Sequence, residues 1–142
     1  MDLATVPNDY ANRAAIVDQV IAGADGLLAT QQGQEFGLAL ADDSFEWGSN
    51  SAVLNNQVIL GTAYDLTGDA AYADAVVESM DYLLGRNALN MSYITDYGDV
   101  TSRNQHSRWF SAQLNPDLPH PPPGSVSGGP NPDVPTWDPT FA

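Results

Sequence analysis

The chain has 142 residues, 43 % of them hydrophobic, which is enough for one domain with its own core. Arg13, Arg86, Arg103 and Arg108 are its only basic side chains against 18 acids, a formal net charge of −14, so nucleic-acid binding through a basic patch and polybasic contact with anionic lipid are excluded. Cysteine is absent, which removes disulfides, thiolate zinc sites and thiol nucleophiles, and no apolar run approaches the length of about 18 residues needed to span a bilayer.

Met1-Asp2 opens the chain without a charged-then-apolar leader. The first helix is expected from about Asp9 to Ala29, where Val17, Val20, Ile21, Ala24, Leu27 and Leu28 recur at the spacing of one helical face, with Gly23 and Gly26 weakening its end. A second helix follows from Ser49 or Asn50 to Leu66. Its apolar residues, among them Val53, Leu54, Val58, Ile59, Leu60, Ala63 and Tyr64, lie nearly all round the helix, the pattern of an element buried on most sides. Gly68 and Asp69 end it and cap a third helix, which runs to Leu84 before Gly85. On that helix Tyr72, Val76, Met80, Leu83 and Leu84 form the apolar stripe, with Asp74, Glu78 and Asp81 on the wet side.

The rest of the chain has another character. Nine of the ten prolines lie between Pro116 and Pro139, and from Arg86 onward only Met91 to Thr95 reads as a short strand. A stretch of this length without regular structure does not close a core by itself. Together with the apolar girdle of the second helix, it points to part of a larger all-helical domain. The expected division is a helical part over about residues 9–85 and a loop and proline-rich tail over about residues 86–142.

Residues suited to chemistry gather in that tail. Ser92-Tyr93-Ile94-Thr95-Asp96-Tyr97-Gly98 and Asn104-Gln105-His106-Ser107-Arg108-Trp109-Phe110 place a histidine, an arginine and several aromatics on irregular segments, where binding groups commonly sit. His106 and Arg108 are two apart, so an extended backbone points both to one side. Two donors beside aromatic rings suit a sugar, whose hydroxyls need directed hydrogen bonds and whose apolar faces stack on Trp or Tyr. The competing structural reading gives His106 to a buried carbonyl and Arg108 to an aspartate. His106 and His120 are the only histidines and have no metal-ligand spacing, so no metal site is expected. Asp96 and Asp99 fit no calcium-loop pattern. Asp42, Asp43 and Glu46 offer the residue types of a carboxylate pair for glycoside hydrolysis, but they precede a helix start, where acids are favoured electrostatically anyway, and the structural reading is preferred. Asn90-Met91-Ser92 is a glycosylation sequon by pattern alone.

Five ordered segments resemble glycoside hydrolase family 9: Phe45-Glu46-Trp47-Gly48-Ser49-Asn50, Asp81-Tyr82-Leu83-Leu84-Gly85-Arg86-Asn87, Ser92-Tyr93-Ile94-Thr95 with Gly98, His106-Ser107-Arg108, and Pro121-Pro122-Pro123-Gly124 with Gly128-Gly129-Pro130-Asn131. They cover about residues 45–131. The chain departs from the family pattern at Gln105, where proline is usual, and at Val100, where a basic or amide residue is common.

The resemblance implies an all-α fold, about three helices of an (α/α)6 barrel followed by a long proline-rich loop region, within one glycoside hydrolase catalytic domain. It also implies an inverting endo-β-1,4-glucanase, in which one carboxylate activates water and another protonates the leaving oxygen across a gap of about 6.5–9.5 Å. In the family the base aspartates lie in an upstream Asp-Ala-Gly-Asp type segment and the acid glutamate lies beyond the proline-rich loop, so this chain is expected to lie between the catalytic carboxylates. Carried over residue by residue, His106 and Arg108 contact the sugar at the cleavage point, His106 as the catalytic contact and Arg108 as a substrate-binding one. Trp47 stands as an aromatic near the cleft. No cofactor is implied in this segment, although the complete domain admits calcium. The implied partners are β-1,4-glucan, as cellulose or cello-oligosaccharides, and the remaining portion of the same catalytic domain. Cellulose is too large to enter a cell, which makes the implied location extracellular. Two rival readings are a non-catalytic carbohydrate-binding relative without the acids, and an acidic helical interaction module whose Pro119–Pro123 run docks as polyproline II.

Overall fold

The computed structural model describes residues 12–105 and 107–132. Three α-helices make up its regular structure: α1 over Arg13–Gly33, α2 over Ser49–Thr67 and α3 over Ala70–Leu84. Two compact units divide the chain, one of Met1–Ala41 with Val53–Met80 and one of Asp42–Ala52 with Asp81–Ala142.

Helix boundaries follow local chemistry closely. Gly68 takes φ 73° and donates its N–H to the Tyr64 carbonyl at 2.7 Å, closing α2. The next residue caps α3, because the Ala71 N–H donates to Asp69 Oδ1 at 3.0 Å. At the far end Gly85 has φ 130° and the Arg86 N–H reaches back to the Asp81 carbonyl at 2.9 Å. The first helix carries on past the expected Ala29 to Gly33, and the expected start at residues 9–11 lies outside the described residues. Gly23 and Gly26 do not end it, since Ala24 between them is fully buried and tertiary packing outweighs their weak propensity.

In the first unit the core joins Ala24, Ala39, Leu60, Ala63, Tyr72 and Ala75, with Leu27, Leu28 and Val76 packed against it. Four alanines in one cluster allow helix backbones to approach closely, which makes each buried methyl sensitive to enlargement. The buried turn at Ala39 lies outside any helix, so its peptide groups need side-chain partners. Its N–H donates to Ser79 Oγ at 3.3 Å and its carbonyl accepts Asn56 Nδ2 at 2.6 Å.

One expectation about helix faces is corrected, on α3, while the one on α2 concerns partners beyond this chain. Helix α2 buries Val53, Leu60 and Ala63, whereas Val58 at 67 % and Tyr64 at 43 % exposure lie open, so a single face is covered within this chain. On α3 the buried line is Tyr72, Ala75, Ser79, Tyr82 and Leu83, while Leu84 is exposed. Glu78 is not simply on the wet side, because it accepts a hydrogen bond from Gln31 Nε2 of α1.

Residues 86–132, among those described, hold no helix and no extended strand; the expected strand at Met91 to Thr95 is reduced to isolated bridges at Ser92 and Ile94. The segment is nonetheless pinned. Tyr93 donates its N–H to Leu83 O and accepts from the Ser127 N–H, each at 2.8 Å, and Thr95 donates to Ser125 O at 2.9 Å. Ser92, Tyr93, Ile94 and Thr95 are all buried. Tertiary pairing with distant loop residues thus does what a local ladder does elsewhere.

Tyr72 supplies a pH test of the first unit. Its hydroxyl donates to Asp25 Oδ1 at 2.6 Å, and that bond, with burial and the carboxylate charge, pushes its pKa up to about 12. The raised value means the native state favours the protonated phenol. The bond therefore stabilises fully below the unfolded tyrosine value of about 10 and loses its contribution as pH rises towards 12. Tyr72→Phe should cost about 1 kcal/mol at neutral pH. The gap between wild type and variant in denaturant unfolding should close above pH 10 and stay constant between pH 7 and 9.

Candidate carbohydrate-binding cleft

All residues of the candidate site belong to the second unit. The cleft has a volume of about 620 Å³, the size of an ordinary small-ligand site. Trp47 and Gly48 come from the turn ahead of α2, Tyr93 from the buried segment after α3, and Asn104 from the loop that leads to His106. Ser127 to Asn131 line it as well.

The wall from Ser127 to Asn131 is held by the start of α2. The Asn50 N–H donates to Gly128 O at 3.0 Å, Asn50 Nδ2 to Ser127 O at 3.0 Å, and Ser49 Oγ to Pro130 O at 2.7 Å. A loop carbonyl therefore satisfies an N–H that a helix start leaves open. The approach is close enough to require glycine: a Cβ on Gly129, which has φ 93°, would lie 2.5 Å from Ser49 Oγ and 2.6 Å from Asn50 Oδ1.

Beneath the cleft lies a pair of phenols. The Tyr82 and Tyr93 rings sit 5.6 Å apart and tilted by 48°. Burial, then the neighbouring Tyr93, push the Tyr82 pKa well above its usual value. Burial also raises Tyr93, against a smaller opposing effect of its hydrogen bond with Tyr82. Both stay protonated at neutral pH.

The loop before His106 is tied down by Gln105, which is 9 % exposed. Gln105 Nε2 donates to Thr95 Oγ1 and, at 2.9 Å, to Ser125 O. Asn87 knits the turn after α3: its Nδ2 donates to Tyr82 O at 2.8 Å and Met91 O at 2.9 Å, while its Oδ1 accepts from the Leu89 N–H at 3.1 Å.

The structure treats the sequence candidates differently. Trp47 lines the cleft with 65 % of its surface exposed, leaving ring area for stacking. Arg108 is exposed and is not among the cleft's lining residues. His106 lies outside the described residues, so the expected alignment of the two is not described either. Asp42 and Asp43 form a short, exposed 3₁₀ turn in solvent. Asp96 pairs with Arg103 at 3.5 Å across an exposed surface, where such pairs contribute little. Among the described residues no three His, Cys, Asp or Glu side chains gather to hold a metal ion. No helix among them is long and apolar enough to cross a membrane. Sequence reasoning missed the Tyr82–Tyr93 pair, whose only sign was two tyrosines flanking a glycine turn.

The sequence profile of glycosyl hydrolase family 9 matches residues 2–140. The chain belongs to this family. Over 142 residues it is 54 % identical to Endoglucanase C of Cellulomonas fimi, covering 99 % of this chain and 13 % of that protein. A Cellulose 1,4-beta-cellobiosidase of Acetivibrio thermocellus is 43 % identical over 104 residues, 71 % of this chain and 12 % of that one. A crystal structure of a metagenome-derived family 9 endoglucanase superposes with a TM-score of 0.82 at 32 % identity, covering 95 % of this chain and 24 % of that chain. This chain therefore spans only about an eighth of the length of the curated relatives just named. Its helices are a portion of the all-α, (α/α)6 family 9 fold.

Gly129→Ala should destabilise the second unit by about 2–4 kcal/mol, combining overpacking against Ser49 and Asn50 with a strained positive φ. Denaturant unfolding that shows a midpoint equal to wild type would refute the close approach at the cleft wall.

Proposed function

We propose that the chain forms part of the substrate groove of an inverting endo-β-1,4-glucanase acting outside the cell on cellulose and cello-oligosaccharides. One observation carries this reading: a cleft of about 620 Å³ lined by the largely exposed Trp47 and by Asn104, beside a buried tyrosine pair. Apolar sugar faces need the ring, and equatorial hydroxyls need directed donors and acceptors. The names of the relatives support the same substrate class.

In this reading the chain supplies contacts and the rest of the catalytic domain supplies the carboxylates. Trp47 stacks on a glucosyl ring and fixes its plane. His106 and Arg108 donate to the hydroxyls of the sugar at the cleavage point. Those bonds strengthen as positive charge develops at the anomeric carbon, so they lower the barrier more than they tighten ground-state binding. Water then attacks from the face opposite the departing glucan, and the product anomer is inverted.

Substitutions in the full protein separate these roles. His106→Ala should lower kcat on cello-oligosaccharides by about 100-fold with an unchanged unfolding transition, as expected for a donor that acts mainly in the transition state. Turnover equal to wild type would remove His106 from the site. Trp47→Ala should instead raise KM by about tenfold at nearly constant kcat, the signature of a lost stacking platform. Cello-oligosaccharide binding by the full protein with no hydrolysis at all would favour a non-catalytic glycan-binding role.

A further inference from the structure

The first unit carries an apolar groove that none of the described residues fills. Ile16, Val20 and Gly23 of α1 and Val58, Ile59 and Thr62 of α2 line it, around a volume of about 330 Å³, and no charged residue does. Val58 stands 67 % and Ile59 38 % exposed, and no atom from elsewhere in the described fold lies within 4 Å of where a Cβ would stand on Gly23. Ile16 and Gly23 are two turns apart, about 10 Å along α1. Polar chemistry is scarce there: Gln19 brings one amide, and the Thr62 hydroxyl donates to Val58 O of its own helix at 2.8 Å. A glucan would find neither an aromatic ring nor the several directed partners its hydroxyls need.

We infer that this groove seats an amphipathic helix of the same polypeptide, drawn from the part of the family 9 catalytic domain that lies outside residues 1–142. Apolar side chains of that helix at i, i+3, i+4 and i+7 cover two turns and fill it. The segment covers 24 % of the solved endoglucanase chain on which it superposes, so most of the all-α fold is built from residues outside it. A loop laid in the groove would bury peptide groups with almost nothing to pair them, whereas a helix pairs its own. Gly23, without a side chain, admits the close approach of another backbone. A second copy of this chain is a poor occupant, because each copy brings a formal charge of −14 and like charge keeps chains apart. The inference rests on family membership alone and holds whether or not the cleft of the second unit binds glucan.

The test is thiol accessibility and cross-linking in the full protein. These 142 residues contain no cysteine, so Val58→Cys adds a single reporter, read with the labelling of the parent protein subtracted. A maleimide should label it at least about 100-fold more slowly in the native protein than in the same variant unfolded in urea, at a rate independent of protein concentration. Labelling as fast as in urea overturns the inference, and so does protection that fades on dilution, which would make a second copy the cover. Should Val58→Cys fail to fold, Thr62→Cys reads the same groove with a smaller change. A photoreactive benzophenone amino acid in place of Gln19 then identifies the occupant by mass spectrometry of the cross-linked peptide. The expected product is an internal cross-link to a peptide outside residues 1–142 whose apolar residues recur at three and four. A cross-link within residues 1–142, to a second copy or to a peptide without that recurrence overturns the inference, as does the absence of any cross-link.

Discussion

The second unit depends on a small set of peptide hydrogen bonds between segments far apart in sequence. Tyr93 and Thr95 exchange bonds with Gly124, Ser125 and Ser127, while Tyr93 also reaches Leu83. Buried peptide groups must be paired, and these residues have no helix or ladder of their own to do it. The pairing obliges a proline-dense stretch to lie beside a buried one, and the cleft is the space left between that stretch and the loop of Asn104 and Gln105. Remove those bonds and Gln105 loses both acceptors at once.

The first unit uses a different economy. Its helices meet through alanines, and the irregular turn at Ala39 is stitched in by Ser79 and Asn56. Polar side chains there serve the backbone of a neighbouring segment and leave little for chemistry. Functional groups accordingly concentrate in the unit where backbone is irregular, with rigid helix ends beneath it.

Helix existence was legible because caps and periodicity agree: Gly68, Asp69 and Gly85 take the roles their chemistry suggests. Helix faces were less legible. Val58 and Tyr64 satisfy an apolar pattern whether or not anything covers them, so periodicity cannot say which partner is present in the same chain. Trp47, marked as an aromatic by its ordered motif, lines the cavity of the second unit. Gln105 read as a departure from a family pattern, and its meaning comes only from Thr95 and Ser125, ten and twenty positions away. Non-local hydrogen bonds of that kind leave no periodic trace.

The scarcity of basic residues has an experimental corollary. Lysine is absent, so a protease specific for basic residues can cut only after the four arginines. Arg103 and Arg108 flank Gln105 and both are exposed. The loop that carries the proposed sugar contacts thus holds two cleavage points of its own, and the rate of nicking there becomes a natural reporter of how firmly that loop is held.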